Sequence, residues 1–218
     1  MELRNTGFIN SLNEENPRHI EGYAVVFNSR SDLLYGAFYE EIRSEAITQE
    51  LVDNCDVFAL MNHDNSKVLA RSNKGKGSLK LTVDERGLKY EFDAPNTALG
   101  DELLEHIRRN EIDKSSFAFR LADDEAHNTW DLRGDDLYRT IYKIDYLHDV
   151  SPVYSPAYPE TSVEQKSIDK YTSIKQRLLE ERNKKQEAEK REQEEIDAQK
   201  EQELMTMYDD MLAELEKL

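Results

Sequence analysis

At 218 residues the chain has room for one ordinary domain and an appendage. Its 46 acidic and 29 basic residues leave a formal charge of −17, which excludes a general binder of nucleic acid or anionic membrane, since both partners are negative. Cys55, the lone cysteine, cannot form an internal disulfide and suits a reducing compartment. No stretch reaches the roughly 18–20 apolar residues that span a bilayer, and the first residues lack the apolar core of a secretory signal. These features predict a soluble intracellular protein.

In chain order, Tyr23-Ala24-Val25-Val26-Phe27 reads as a buried strand by its β-branched and aromatic content. Residues 44–54 predict a helix with Ser44 as N-cap and Ile47 and Leu51 spaced four apart. The apolar run Val57–Met61 delivers the chain to Asn62, His63 and Asp64. Leu79–Val83 alternates, turns at Asp84–Gly87 and returns as Leu88–Phe92, which predicts a hairpin. Thr97–Asn110 predicts a helix with Leu99, Leu103 and Ile107 on one face and Gly100 as a weak point. Residues 115–121 and 137–153 predict further strands around a polar loop from Ala122 to Asp136. The expected fold class is α+β, a small, mainly antiparallel barrel or sheet with peripheral helices and a C-terminal helical tail.

The chain changes character near residue 163, dividing into a domain at 1–162 and a tail at 163–218. Neither proline nor glycine occurs after Pro159, and the tail carries 16 acidic and 11 basic residues. Between Glu180 and Glu203 the only apolar residues are Ala188, Ile196 and Ala198, so this stretch is either a solvated helix or disordered. Leu204, Tyr208, Met211, Leu215 and Leu218 then follow the spacing of a coiled-coil seam, for packing on the chain's own domain or docking to another chain.

Candidate chemistry centres on Lys114–Arg120. If this stretch is a strand, Ser115 lies with Phe117, Phe119 and Leu121 on the buried face, while Ser116, Ala118 and Arg120 share the other, which suggests a cleft. A serine becomes a nucleophile only where a base takes its proton; otherwise it is a tolerated small polar residue. Of the five histidines, His19 and His106 sit in polar, solvated contexts. His127 closes Asp124-Glu125-Ala126-His127, the letters of a helicase box, with no phosphate loop to accompany it. His63 ends a buried strand, where a base can be held rigidly. In Tyr146–Pro159, an extended chain alternates Leu147, Asp149, Ser151 and Val153 with His148 and Val150. Asp149 or His148 can thus face His63, but not both. One cysteine and no H-E-x-x-H argue against a metal site.

Taken in order, these segments resemble the prohead (capsid-maturation) serine proteases of tailed bacteriophages, a family related to the herpesvirus assemblins. The matching segments are Gly22–Phe27, Glu41–Ile47, Leu60–Asp64, Val68–Ser72, Asp84–Leu88, Lys114–Phe119 and Asp149–Thr161, covering roughly residues 7–163. Lys114 and Ala118 stand where the family usually has glycines, and Asp149 stands where it often has glutamate.

The resemblance implies Ser116 as nucleophile, His63 as general base and Asp149 as its orienting acid, with His148 the competitor because assemblins use a second histidine. It also offers Arg120 as a candidate oxyanion contact. It implies no cofactor and an endopeptidase acting on the precursor major capsid protein, on scaffold and on itself. The setting would be the assembling prohead in the host cytoplasm, and the assemblin kinship suggests a homodimer. The competing reading is a non-catalytic scaffold or assembly protein on a protease-like fold, which the acidic tail suits.

Overall fold

Apolar residues alternate with polar ones along several strands, as in Leu79–Val83 and Leu88–Phe92. The structure, a computed structural model, describes residues 1–9, 16–154 and 162–215, with the side chains at 5–6, 162–168 and 208–215 outside that description. The order is β1 (Glu2–Ile9), β2 (His19–Val26), β3 (Phe38–Ile42), α1 (Gln49–Asn54), β4 (Asp56–Leu60), β5 (Val68–Asn73), β6 (Lys76–Gly77), β7 (Lys80–Val83) and β8 (Gly87–Asp93). There follow α2 (Ala98–Arg108), β9 (Ile112–Arg120), β10 (Asn128–Arg133), β11 (Asp136–Ile141), β12 (Tyr146–Tyr154) and α3 (Ser162–Leu215).

Nine strands make one sheet in the order β6-β5-β4-β12-β9-β1-β2-β8-β7, and β10-β11-β3 make a second. All pairs are antiparallel except β12 with β4 and β11 with β3. The edge strands β6 and β7 are joined by Ser78 and Leu79 alone, so the two ends of the large sheet come together and the barrel nearly closes. The fold is therefore α+β and mainly antiparallel, as the sequence predicts. Val25, Leu88, Tyr90, Leu103, Phe117, Phe119, Leu147 and Val150 lie in its buried core.

Several local expectations change. The helix predicted from Ser44 begins at Gln49. Thr48 is its cap, its Oγ1 accepting from the Leu51 N–H, while Ile47 is extended and buried. Ser44–Ala46 is a separate 3-10 turn. In α2, Leu103 and Leu104 form the buried stripe, with Leu99 and Ile107 only partly buried at its sides. Gly100 has a packing reason, because a Cβ there would stand 2.0 Å from the Pro95 carbonyl oxygen. The polar loop predicted at 122–136 contains β10, paired with β11 from Asn128↔Ile141 to Arg133↔Asp136. His127 leads into it, clamped between Asp124 (2.6 Å) and Asp145 (3.0 Å). The hydrogen bond to Asp124 raises its pKa above the usual histidine value. His106 is half-buried, paired with Glu111 at 2.6 Å and set edge-on to Tyr154, and His19 pairs with Asp93 at 2.9 Å.

β1, which its polar residues conceal, is held by a buried ion network. The Arg4 guanidinium donates to Glu40 at 2.6 and 2.9 Å and to Glu2 at 2.5 Å, and Arg139 donates to both acids. Burial works to raise the Glu2 pKa, but the hydrogen bond and charge of Arg139, together with Arg4, hold it at about 2. This network ties β1 of the large sheet to β3 and β11 of the small one. Tyr171, in the first turns of α3, packs above it on Phe38, Trp130 and Tyr35 at centroid distances of 4.4, 5.5 and 6.0 Å.

The chain divides into two units, Met1–Tyr171 and Thr172–Leu218. In the second, Lys185–Glu189 (3.9 Å) and Lys190–Glu194 (3.7 Å) are i,i+4 pairs in the weaker lysine-first orientation, and Ile196 and Leu204 are exposed. The proline-rich exit at 155–161 and Leu218 lie outside the described residues, as do the side chains of Tyr208, Met211 and Leu215. No helix among the described residues is long and apolar enough to cross a membrane.

Candidate active site

Three neighbouring strands, β4, β12 and β9, carry the candidate residues. β4 buries Val57, Ala59 and Leu60 and ends in a 3-10 turn over Met61–His63. Met61, also buried, anchors that turn. Asn62 and His63 both adopt left-handed backbone, with φ of 54° and 59°. Such φ values are uncommon outside glycine, though asparagine and histidine tolerate them best. The turn swings the imidazole back over the sheet. Asp64 beside it is a turn residue, its carboxylate held by the N–H and hydroxyl of Ser66 at 2.9 and 2.6 Å, which lowers its pKa.

Asn62→Gly should retain activity. Asn62→Val should destabilise the turn by about 1–2 kcal/mol, the cost of a left-handed residue, and lower turnover by displacing His63. Thermal melts and peptide hydrolysis of the two variants check this.

On β9, Ser116 lies opposite Ser151 of β12, and Ala118 opposite Asp149. Side chains at paired positions share a face, so Ser116, Asp149 and Ser151 lie together. His63 Nδ1–H donates to Asp149 Oδ1 at 2.6 Å, and His63 Nε2 lies 2.5 Å from Ser116 Oγ. With a carboxylate at Nδ1, the neutral imidazole carries its proton there and leaves Nε2 to accept from the serine hydroxyl. The side chain of His63 is 17% exposed and that of Asp149 7%.

Ser116 and Ala118 are fully buried, so this face of β9 is closed here where the sequence suggests an open cleft. Ser115 points into the barrel, its hydroxyl 2.6 Å from that of buried Tyr90. Both faces of β9 are thus buried, for different reasons: one packs the core and the other carries the hydrogen-bonded residues.

The predicted alternation along β12 is broken. Leu147 pairs with Phe119 but Asp149 pairs with Ala118, so two steps on β12 match one on β9, and His148 is the extra residue of a β-bulge. The bulge puts Leu147 in the core and Asp149 on the opposite face. His148 is half-buried with its ring against Tyr146, at 4.6 Å between centroids. Burial, and then the charge of Arg120, push its pKa below the ordinary histidine value. The Arg120 guanidinium lies 5.5 Å from the Tyr146 ring, and its residue is about 13 Å along the strand from Ser116.

Ser151 is a site residue that sequence reading overlooks, although its i,i+2 spacing from Asp149 signals a shared face. Among the described residues, His19, Glu21 and Glu91 come close enough together to hold a cation. Lys89 already bridges Glu21 (2.7 Å) and Glu91 (3.1 Å), and Lys80 takes Glu91 at 2.7 Å, so both carboxylates are neutralised without a metal.

Within a nearly closed, mainly antiparallel barrel, β9, β12 and the turn after β4 thus bring Ser116, Asp149 and His63 into one hydrogen-bonded chain, an arrangement that can support attack by a serine hydroxyl. The family model for caudovirus prohead serine proteases matches residues 8–175, and the chain belongs to that family. No curated protein and no solved structure matches it.

Proposed function

We propose that this protein is a serine endopeptidase that cleaves precursor major capsid protein and scaffold, and itself, within the assembling prohead in the host cytoplasm. The single observation that carries this reading is the chain of short hydrogen bonds from Asp149 through His63 to Ser116. In this mechanism His63 Nε2 takes the proton from Ser116 Oγ as the oxygen attacks the scissile carbonyl. Asp149 stabilises the imidazolium, which then protonates the leaving amine, and water releases the acyl group by the same steps in reverse. Lys114, two residues before Ser116 on the same strand face, lines a groove of about 300 Å³ with Gly7, Phe8, Val26 and Arg30.

In this reading residues 163–218 are a scaffold-like or targeting tail, and the protein acts as a homodimer. The rival, an assembly protein without catalysis, draws on the exposed, charged helix from Thr172 onward. A fluorophosphonate probe should label Ser116 covalently, and co-expression with the capsid precursor should give products of defined mass. A folded protein that neither labels nor processes the precursor is the scaffold instead.

A further inference from the structure

Ser151 is fully buried on β12, two residues after Asp149 and directly opposite Ser116. Its hydroxyl donates to Asp149 Oδ1 at 2.6 Å, and that same oxygen receives the Nδ1–H of His63 at 2.6 Å. Asp149 is 5% exposed, which leaves bulk water little access to the carboxylate.

The terminal torsion of an aspartate is broad, so a single hydrogen bond from a histidine does not fix the plane of the carboxylate. A second donor on the regular part of the same strand, beyond the bulge at His148, supplies the missing constraint. The bulge itself makes this constraint useful, because it leaves Asp149 next to an irregular stretch of backbone.

We infer that Ser151 is a positioning residue that holds Asp149 Oδ1 against His63 without touching substrate. This rests on the reading of Ser116, His63 and Asp149 as one catalytic unit. If Ser151 merely satisfied a buried acid, its loss would lower stability and leave reactivity per folded molecule unchanged.

The test is the rate at which a fluorophosphonate labels Ser116 in the full chain, resolved into maximal rate and half-saturating concentration. It compares wild type, Ser151→Ala, Asp149→Asn and the double variant, well below their melting temperatures. Ser151→Ala should lower the maximal rate by about 10- to 100-fold, the range for a hydrogen bond to a charged group, with half-saturation unchanged. In the Asp149→Asn background the same change should cost less than about threefold, because a residue acting through Asp149 has nothing left to act on. If the alanine variant does not fold, Ser151→Cys, with a weaker donor of similar size, should give an intermediate rate.

An unchanged rate in folded Ser151→Ala, or an undiminished loss in the Asp149→Asn background, overturns the inference while wild-type labelling keeps the protease reading intact. Absence of labelling in the wild type overturns both.

Discussion

Ser116→Ala should lower precursor processing by about four orders of magnitude or more and leave the fold intact, whereas Ser115→Ala should process normally and melt earlier. The two hydroxyls differ by one position and by everything around them. Ser116 Oγ meets the imidazole of His63, while Ser115 Oγ meets the hydroxyl of Tyr90 in the core. Removing the nucleophile of a triad leaves only the catalysis that binding and oxyanion contacts supply. Removing Ser115 strands the hydroxyl of Tyr90, which is fully buried, at a cost of about 1–3 kcal/mol. The double change Ser115→Ala with Tyr90→Phe removes both partners and should recover most of that loss. Processing assays beside thermal melts read both effects. An inactive Ser115→Ala with an active Ser116→Ala would reverse the assignment.

Asp149→Asn should lower turnover by about 10⁴-fold, since an amide at this position favours the wrong imidazole tautomer, with little change in stability. His148→Gln should be mild. Asp149 receives the Nδ1–H of His63, whereas His148 occupies the bulge with its ring against Tyr146. His63→Ala should match Ser116→Ala, and the two combined should be no worse than either, because base and nucleophile act as one unit. Multiplicative losses, or a severe His148→Gln beside a mild Asp149→Asn, would transfer the role away from Asp149.

Much of this arrangement is legible from local pattern. The hairpin of β7 and β8 announces itself by alternation around Asp84–Gly87, and the register Leu81↔Tyr90 and Val83↔Leu88 follows from that turn. The period of two along β9 separates Ser116 from Ser115, and the apolar run of β4 identifies His63 as the histidine with a rigid approach. β1 and β10 escape such reading. Arg4 looks like a surface residue until Glu40, thirty-six positions away, neutralises it in the interior. β10 shows only half-buried side chains along most of its length, so it carries no apolar stripe.

The sequence by itself determined the α+β class, the strand carrying Ser116 and Ser115 on opposite faces, and the short choice of partners for His63. Those properties depend on side-chain period and residue chemistry, which act over a few residues. Only the tertiary structure sets Asp149 rather than His148 at 2.6 Å from His63, because a one-residue bulge against β9 turns Asp149 onto the face that carries Ser116. It alone brought Ser151 onto Asp149 and held Asn62 and His63 in left-handed backbone. Strand register and backbone strain are imposed by neighbours distant in sequence, and a bulge shifts the alternation by one residue without any mark in composition.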